Sequence, residues 1–126
     1  MSLLALTGTP GTGKTTLAQM LERPRLQLSD YYEACSDSRD EGGEWLVDLE
    51  RLAQAVARDA DPEAIIEGHL AHRLGLCETI AVLRCHPDEL RERLADRGYA
   101  EAKLRENLEA EALGIITSEA LEAGAD

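Results

Sequence analysis

The residues best suited to chemistry lie at the start of the chain. Gly8-Thr9-Pro10-Gly11-Thr12-Gly13-Lys14-Thr15 satisfies the spacing G-x-x-x-x-G-K-[ST]. Gly8, Gly11 and Gly13 lack the Cβ atoms that would stop successive backbone N–H groups from converging on one point, and such a nest binds anions. A helix starting near Gly13 adds its positive end and its unpaired N–H groups. Lys14 would then place an ammonium on the β and γ phosphates of a nucleoside triphosphate, and the Thr15 hydroxyl would ligate Mg²⁺. The same string could be an ordinary glycine turn. The flanks argue otherwise: an apolar run at residues 3–6 precedes it and a helical pattern at 16–23 follows, giving strand, loop and helix.

A second group of candidates follows at a distance. Residues 64–69 read as a buried strand that closes on Glu67 and His69. A carboxylate at the end of an apolar strand can hold Mg²⁺ through water or orient a nucleophile, and His69 falls on the same side of an extended chain. The plain alternative is a strand running out into a polar turn. Arg91, Arg93 and Arg97 are the densest group of cations, and Arg93 and Arg97 share a helix face. They either pair with Glu89, Glu92 and Asp96 or clamp a phosphoryl group in transfer. His72 reads as a solvated residue in a surface turn, and Trp45 as a packing anchor.

These groups need a scaffold, and the rest of the chain supplies the elements of one domain. A first helix runs over 13–23 and stops at Pro24. Residues 26–28 form a short strand, after which Ser29 or Asp30 caps a short helix. The polar stretch 36–44, with Arg39 as its only cation, reads as a mobile loop; in a kinase such a loop closes over the second substrate. A helix is expected over 45–59 from the spacing of Leu46, Leu49, Leu52, Ala53 and Val56. Another strand is expected over 79–84. His86-Pro87-Asp88-Glu89 opens a helix that Gly98 ends. Two more helices, over 100–113 and 115–123, meet at Gly114, the first with Leu104, Leu108 and Leu113 on its apolar side. The strands should form a mostly parallel sheet in the order 2-3-1-4.

Composition narrows the function classes. Asp and Glu number 25 against 13 Lys and Arg, for a net charge of −12. A chain this acidic has no long-range attraction for a phosphate backbone, so direct broad nucleic-acid binding is not expected, whereas a basic protein partner is compatible. The acidity fits equally a surface kept soluble in high salt and an acidic cytosolic protein. Cys35, Cys77 and Cys85 have no metal-ligand spacing and suit a reduced compartment. With no membrane-length apolar stretch and no basic leader, the expected location is cytoplasmic.

The order of these elements is similar to that of a nucleoside monophosphate kinase, and the motifs narrow it further. Residues 7–16 (TGTPGTGKTT), Val47-Asp48-Leu49-Glu50, Glu67-Gly68-His69-Leu70-Ala71-His72, Val82-Leu83-Arg84-Cys85-His86-Pro87, Glu92-Arg93-Leu94 with Arg97-Gly98-Tyr99, and Arg105-Glu106-Asn107 resemble the archaeal and nuclear branch of adenylate kinase, isoenzyme six. The resemblance covers nearly the whole chain and is weak over 25–44. It implies an α/β P-loop NTPase three-layer sandwich that transfers phosphate from ATP to AMP, hydrolyses ATP, and acts in maturation of the small ribosomal subunit by contacting a basic ribosomal protein. It implies that Gly11, Thr12, Gly13, Lys14, Thr15 and Thr16 bind ATP phosphates. Glu67 and His69 would tune hydrolysis, with Thr15 and Glu67 at Mg²⁺. Residues 93–105, with Arg93 and Arg97, would form a short lid, and 29–60 the monophosphate-binding insert. Two departures stand out. Glu33 occupies the place where the family has Arg or Lys after Asp30, leaving Arg39 as the cation for a monophosphate. The family also continues past Asp126 with a last strand, an adenine-contacting loop and a helix; either the chain is cut short or a partner covers the sheet edge. The rival reading is an ATP-dependent assembly factor with weak ATPase and no real kinase activity. A third is an inactive relic.

Overall fold

The computed structural model describes residues 3–124. In chain order the elements are β1 (Leu4–Gly8), α1 (Lys14–Met20), β2 (Arg25–Gln27), β3 (Ser36–Arg39), β4 (Trp45–Val47), α2 (Leu49–Asp59), β5 (Ile65–Glu67), β6 (Thr79–Leu83), α3 (Pro87–Asp96), α4 (Glu101–Leu113) and α5 (Ile115–Glu122). Short 3₁₀ turns occupy Leu28–Tyr31 and Ala71–Arg73.

Four strands form a parallel sheet in the order β2-β5-β1-β6, which is the order read from the sequence. β1 is central, with Leu6 opposite Glu67 of β5 and Ala81 of β6. The alternation of side chains along a strand sorts the core into two layers. Leu6 and Ile65 meet Ala18 of α1 on one face. Ala5, Ile66 and Leu26 meet Leu52 and Val56 of α2 on the other. Leu52 and Val56 are fully buried, and each such side chain stabilises the fold by about 1.5–3 kcal/mol. A third cluster joins Leu90 and Leu94 of α3 to Leu104 of α4. Helices on both faces of a parallel sheet make the three-layer α/β architecture.

The largest correction falls between residues 36 and 48. The expected mobile loop is a β-hairpin: β3 pairs antiparallel with β4, with Ser36 opposite Val47 and Arg39 opposite Trp45. The turn is closed by Asp40 Oδ1, which accepts from the N–H groups of Gly42 and Glu44, each at 2.9 Å, while Gly43 takes φ +82°. The expected helix over 45–59 therefore begins only at Leu49. Asp48 caps it, accepting from the N–H groups of Glu50 at 3.0 Å and Arg51 at 3.2 Å. Leu46 extended the helical period in the sequence, yet its side chain is 55% exposed on the hairpin. The first helix is also shorter than expected, ending at Met20. Ser29 and Asp30 cap nothing, since the 3₁₀ turn there starts without a side-chain cap. Among the described residues no helix is long and apolar enough to cross a membrane.

Candidate functional site

The glycine loop runs from the buried end of β1 into α1, and its glycines are required by their surroundings. Gly8 has φ +150°, and a Cβ there would stand 2.7 Å from the Leu83 carbonyl oxygen; Gly11 has φ +90°, and its Cβ would stand 2.9 Å from both Leu90 and Leu94. The loop is thus moulded against β6 and α3. Thr12 is buried and turns its hydroxyl inward, donating to Thr9 O at 2.7 Å. Lys14 Nζ donates to the carbonyls of Gly8 at 2.8 Å and Thr9 at 3.1 Å. Desolvation, reinforced by Arg97 and opposed by Glu67 and Glu111, brings the Lys14 pKa down to about 8.

Glu67, at the end of β5, is 3% exposed. Its Oε1 accepts from the Thr15 hydroxyl. Its Oε2 lies 3.8 Å from Arg25 Nη1 and, though buried, has no hydrogen-bond partner. The helix start and the strand end thereby bring together an alcohol and a carboxylate, both hard oxygen donors. Beyond them His69 Nδ1 sits 3.3 Å from the Tyr32 hydroxyl, with the two rings edge to face. Burial, aided by Lys14, His72 and Lys103 and opposed by Glu44, lowers the His69 pKa to about 4, so the ring is neutral near pH 7. Burial and the nearby Glu44 raise that of Tyr32.

Lys14, Thr15, Glu67, His69 and Arg97 all line one cleft of about 950 Å³, which extends to Trp45 on the hairpin. The other candidates are placed differently. Arg93 lies outside this lining; its Nη1 donates to Gly11 O at 3.0 Å and its Nη2 to Glu89 at 2.6 Å, so it braces the loop. Arg97 directly follows α3 as its C-cap and, unlike Arg93, lines the cleft. The Thr16 side chain is exposed on α1 and lies outside the cleft lining. Arg39 lies with its guanidinium 3.9 Å from the centroid of Trp45, outside the cleft lining.

Two buried polar residues were missed. Glu111 of α4 is 3% exposed. Its Oε1 accepts from Thr9 Oγ1 at 2.8 Å; its Oε2 accepts from the Cys85 N–H and from Arg84 Nε, each at 2.8 Å. Burial raises its pKa, but these three hydrogen bonds together outweigh burial and leave it below the usual glutamate value. A signal existed: Leu104, Leu108 and Glu111 share one helical face, whereas Leu113, expected there, is 73% exposed. His72, expected to be solvated, is 2% exposed. Its Nδ1 lies 2.7 Å from Thr7 Oγ1, and its Nε2 donates to Glu119 of α5 at 2.9 Å. Its burial depends on α5, which arrives 47 residues later.

The glycine loop on a central parallel strand, with Lys14, Thr15 and Glu67 at one end of the cleft, defines a P-loop NTPase fold. Comparison with known proteins agrees. A family model described as an AAA domain matches residues 4–114. A protein of Archaeoglobus fulgidus named "Putative adenylate kinase" is 45% identical over 124 residues, which span 95% of this chain and 67% of that protein. One of the same name from Natronomonas pharaonis is 46% identical over 123 residues, spanning 94% and 71%. A crystal structure of shikimate kinase from Bacteroides thetaiotaomicron superposes with a TM-score of 0.59 over 98% of this chain and 83% of that one; at 22% identity it shows the fold alone. The chain belongs to the adenylate kinase family that these relatives represent, and carries its AAA domain.

Proposed function

We propose that the chain is an adenylate kinase-type enzyme that moves the γ-phosphoryl group of ATP to AMP, with water as a slower acceptor. The observation that carries this reading is the meeting of Lys14, Thr15 and Glu67 at one end of a 950 Å³ cleft whose other wall is the hairpin and the start of α2. A cleft of that size, with a phosphate cradle at one end, has room for a donor and an acceptor side by side. The names of the relatives support the acceptor.

In this mechanism the loop N–H groups from Gly11 to Thr16 hold the ATP phosphates, and Lys14 leaves the loop carbonyls for the β and γ oxygens. Thr15 and Glu67 suit Mg²⁺, because both offer hard oxygens and the buried Oε2 of Glu67 lacks a partner. Mg²⁺ held there would supply charge neutralisation to the phosphates. Arg97 approaches the same phosphates from the end of α3, and Arg93 keeps Gly11 in register. Glu67 Oε2 and neutral His69 can accept a hydrogen bond from an attacking water, which accounts for the ATPase side reaction. Phosphoryl transfer here depends on positioning and electrostatics, with no covalent intermediate on the protein.

A second reading has one observation in its favour, the net charge of −12. It makes the chain an ATP-dependent assembly factor for the small ribosomal subunit, held to a basic ribosomal protein in the cytoplasm and released by slow hydrolysis. ADP production from Mg-ATP, with and without AMP, separates the two. Many-fold stimulation by AMP, abolished by Lys14→Ala, supports the kinase; equal rates with and without AMP overturn it in favour of the ATPase.

A further inference from the structure

An acceptor that carries a phosphate needs a cation opposite the glycine loop, and much of the cleft wall is hostile to one. Asp37, Glu44, Asp48, Glu67 and Glu106 all line it. Among the described residues the lining cations are Lys14, Arg73, Arg97 and Lys103. Three are accounted for. Lys14 belongs to the loop. Arg97 caps α3, the helix whose Leu90 and Leu94 pack against Gly11, which puts it at the loop end of the cleft. Lys103 is paired with Glu44 across the cleft and lies 3.7 Å from Glu106.

Arg73 remains. It ends the 3₁₀ turn Ala71–Arg73 that follows Glu67-Gly68-His69, and its side chain makes no hydrogen bond or ion pair among the described residues. The turn beneath it is rigid: Ala71 is 1% exposed, and His72 is fixed to Thr7 of β1 and to Glu119 of α5. The Arg73 N–H is itself bonded to Leu70 O at 2.9 Å. An unpaired guanidinium on a fixed base, at the edge of an otherwise acidic wall, is suited to a bidentate phosphate contact. The other candidate, Arg39, is stacked on Trp45 and outside the cleft lining.

We infer that Arg73 binds the phosphate of the acceptor nucleotide. The inference rests on the kinase reading above. Steady-state kinetics with AMP and Mg-ATP varied in turn test it on wild type, Arg73→Gln and Arg73→Lys. Arg73→Gln should raise KM for AMP by about 10- to 100-fold, the worth of a charge-assisted hydrogen-bond pair, and leave KM for ATP within about twofold. Arg73→Lys, which keeps the charge but not the fork, should recover part of the loss. An unchanged KM for AMP, a rise shared equally by both substrates, or a rise in Arg39→Gln in place of Arg73→Gln would overturn the assignment while wild-type activity still upheld the kinase. Absence of AMP-stimulated turnover in the wild type would overturn both.

Discussion

Glu111→Ala should cost about 3 kcal/mol of stability, although Glu111 lies 27 residues from Arg84 and over a hundred from the glycine loop it supports. Alanine leaves three donors without their acceptor. The Cys85 N–H is a backbone donor in a half-buried position, and orphaning it costs about 1–3 kcal/mol. Thr9 is 1% exposed, so its hydroxyl adds about 1 kcal/mol. The Arg84 side chain is 49% exposed and water takes over its contact, so it adds little. Relief of the carboxylate's own desolvation keeps the total at the low end of the 3–5 kcal/mol typical of a broken buried pair. A 126-residue chain unfolds with an entropy of about 0.26 kcal/mol/K, so the expected drop in Tm is about 11 °C. Thermal unfolding followed by circular dichroism measures it. Glu111→Gln should lose less, because the amide oxygen still accepts one of the three bonds. The pH dependence has a definite sign. The folded pKa of Glu111 lies below its ordinary 4.5, so its contribution is fully present above that value and disappears as pH falls through the lower folded value. The stability difference between wild type and Glu111→Gln should shrink in that acid range. A Tm change of Glu111→Ala below about 4 °C, or a difference that grows on acidification, would refute the reasoning.

His72→Ala should destabilise by about 2–4 kcal/mol in urea unfolding, since it leaves the buried Thr7 hydroxyl without its partner and empties a packed site; a loss under about 0.5 kcal/mol would return His72 to the surface. ATP affinity should weaken as pH rises through about 8, where free Lys14 loses its proton, and calorimetric titration of Lys14→Ala should show no such step. Glu67→Gln should lower kcat at least about tenfold and raise the Mg²⁺ requirement without lowering Tm, because it neutralises a buried carboxylate whose Oε2 has no hydrogen bond; a lowered Tm with intact kcat would make Glu67 structural.

What could be read from the chain alone follows from range. The glycine loop is a local device: spacing, flanking strand and flanking helix all lie within residues 3–23, and no distant contact is needed to recognise it. The four parallel strands were legible because Leu6, Ile65 and Ile66 are buried on both faces of the sheet and read as continuous apolar runs. The hairpin was not, because β3 is Ser-Asp-Ser-Arg, four polar residues that become a strand only through pairing with β4. Leu46 then lent β4 the spacing of a helix that begins at Leu49. Lys14, Thr15, Glu67 and His69, all expected from the sequence, line one cleft because they sit at or just beyond the start of α1 and the end of β5, elements whose type is local. Glu111 and His72 were not, because each is defined by partners on other elements. Arg93 and Arg97 look equivalent in sequence, four residues apart. In the fold Arg93 donates to Gly11 O, whereas Arg97, just past α3, lines the cleft.

On the kinase reading, this cleft transfers phosphate between nucleotides. The fate of ATP labelled in its γ position, incubated with Mg²⁺ and AMP, tests it most directly. Most of the label should appear in ADP, two ADP should form for each ATP consumed, and Lys14→Ala should abolish both. Label released mainly as inorganic phosphate, at a rate indifferent to AMP, would contradict it.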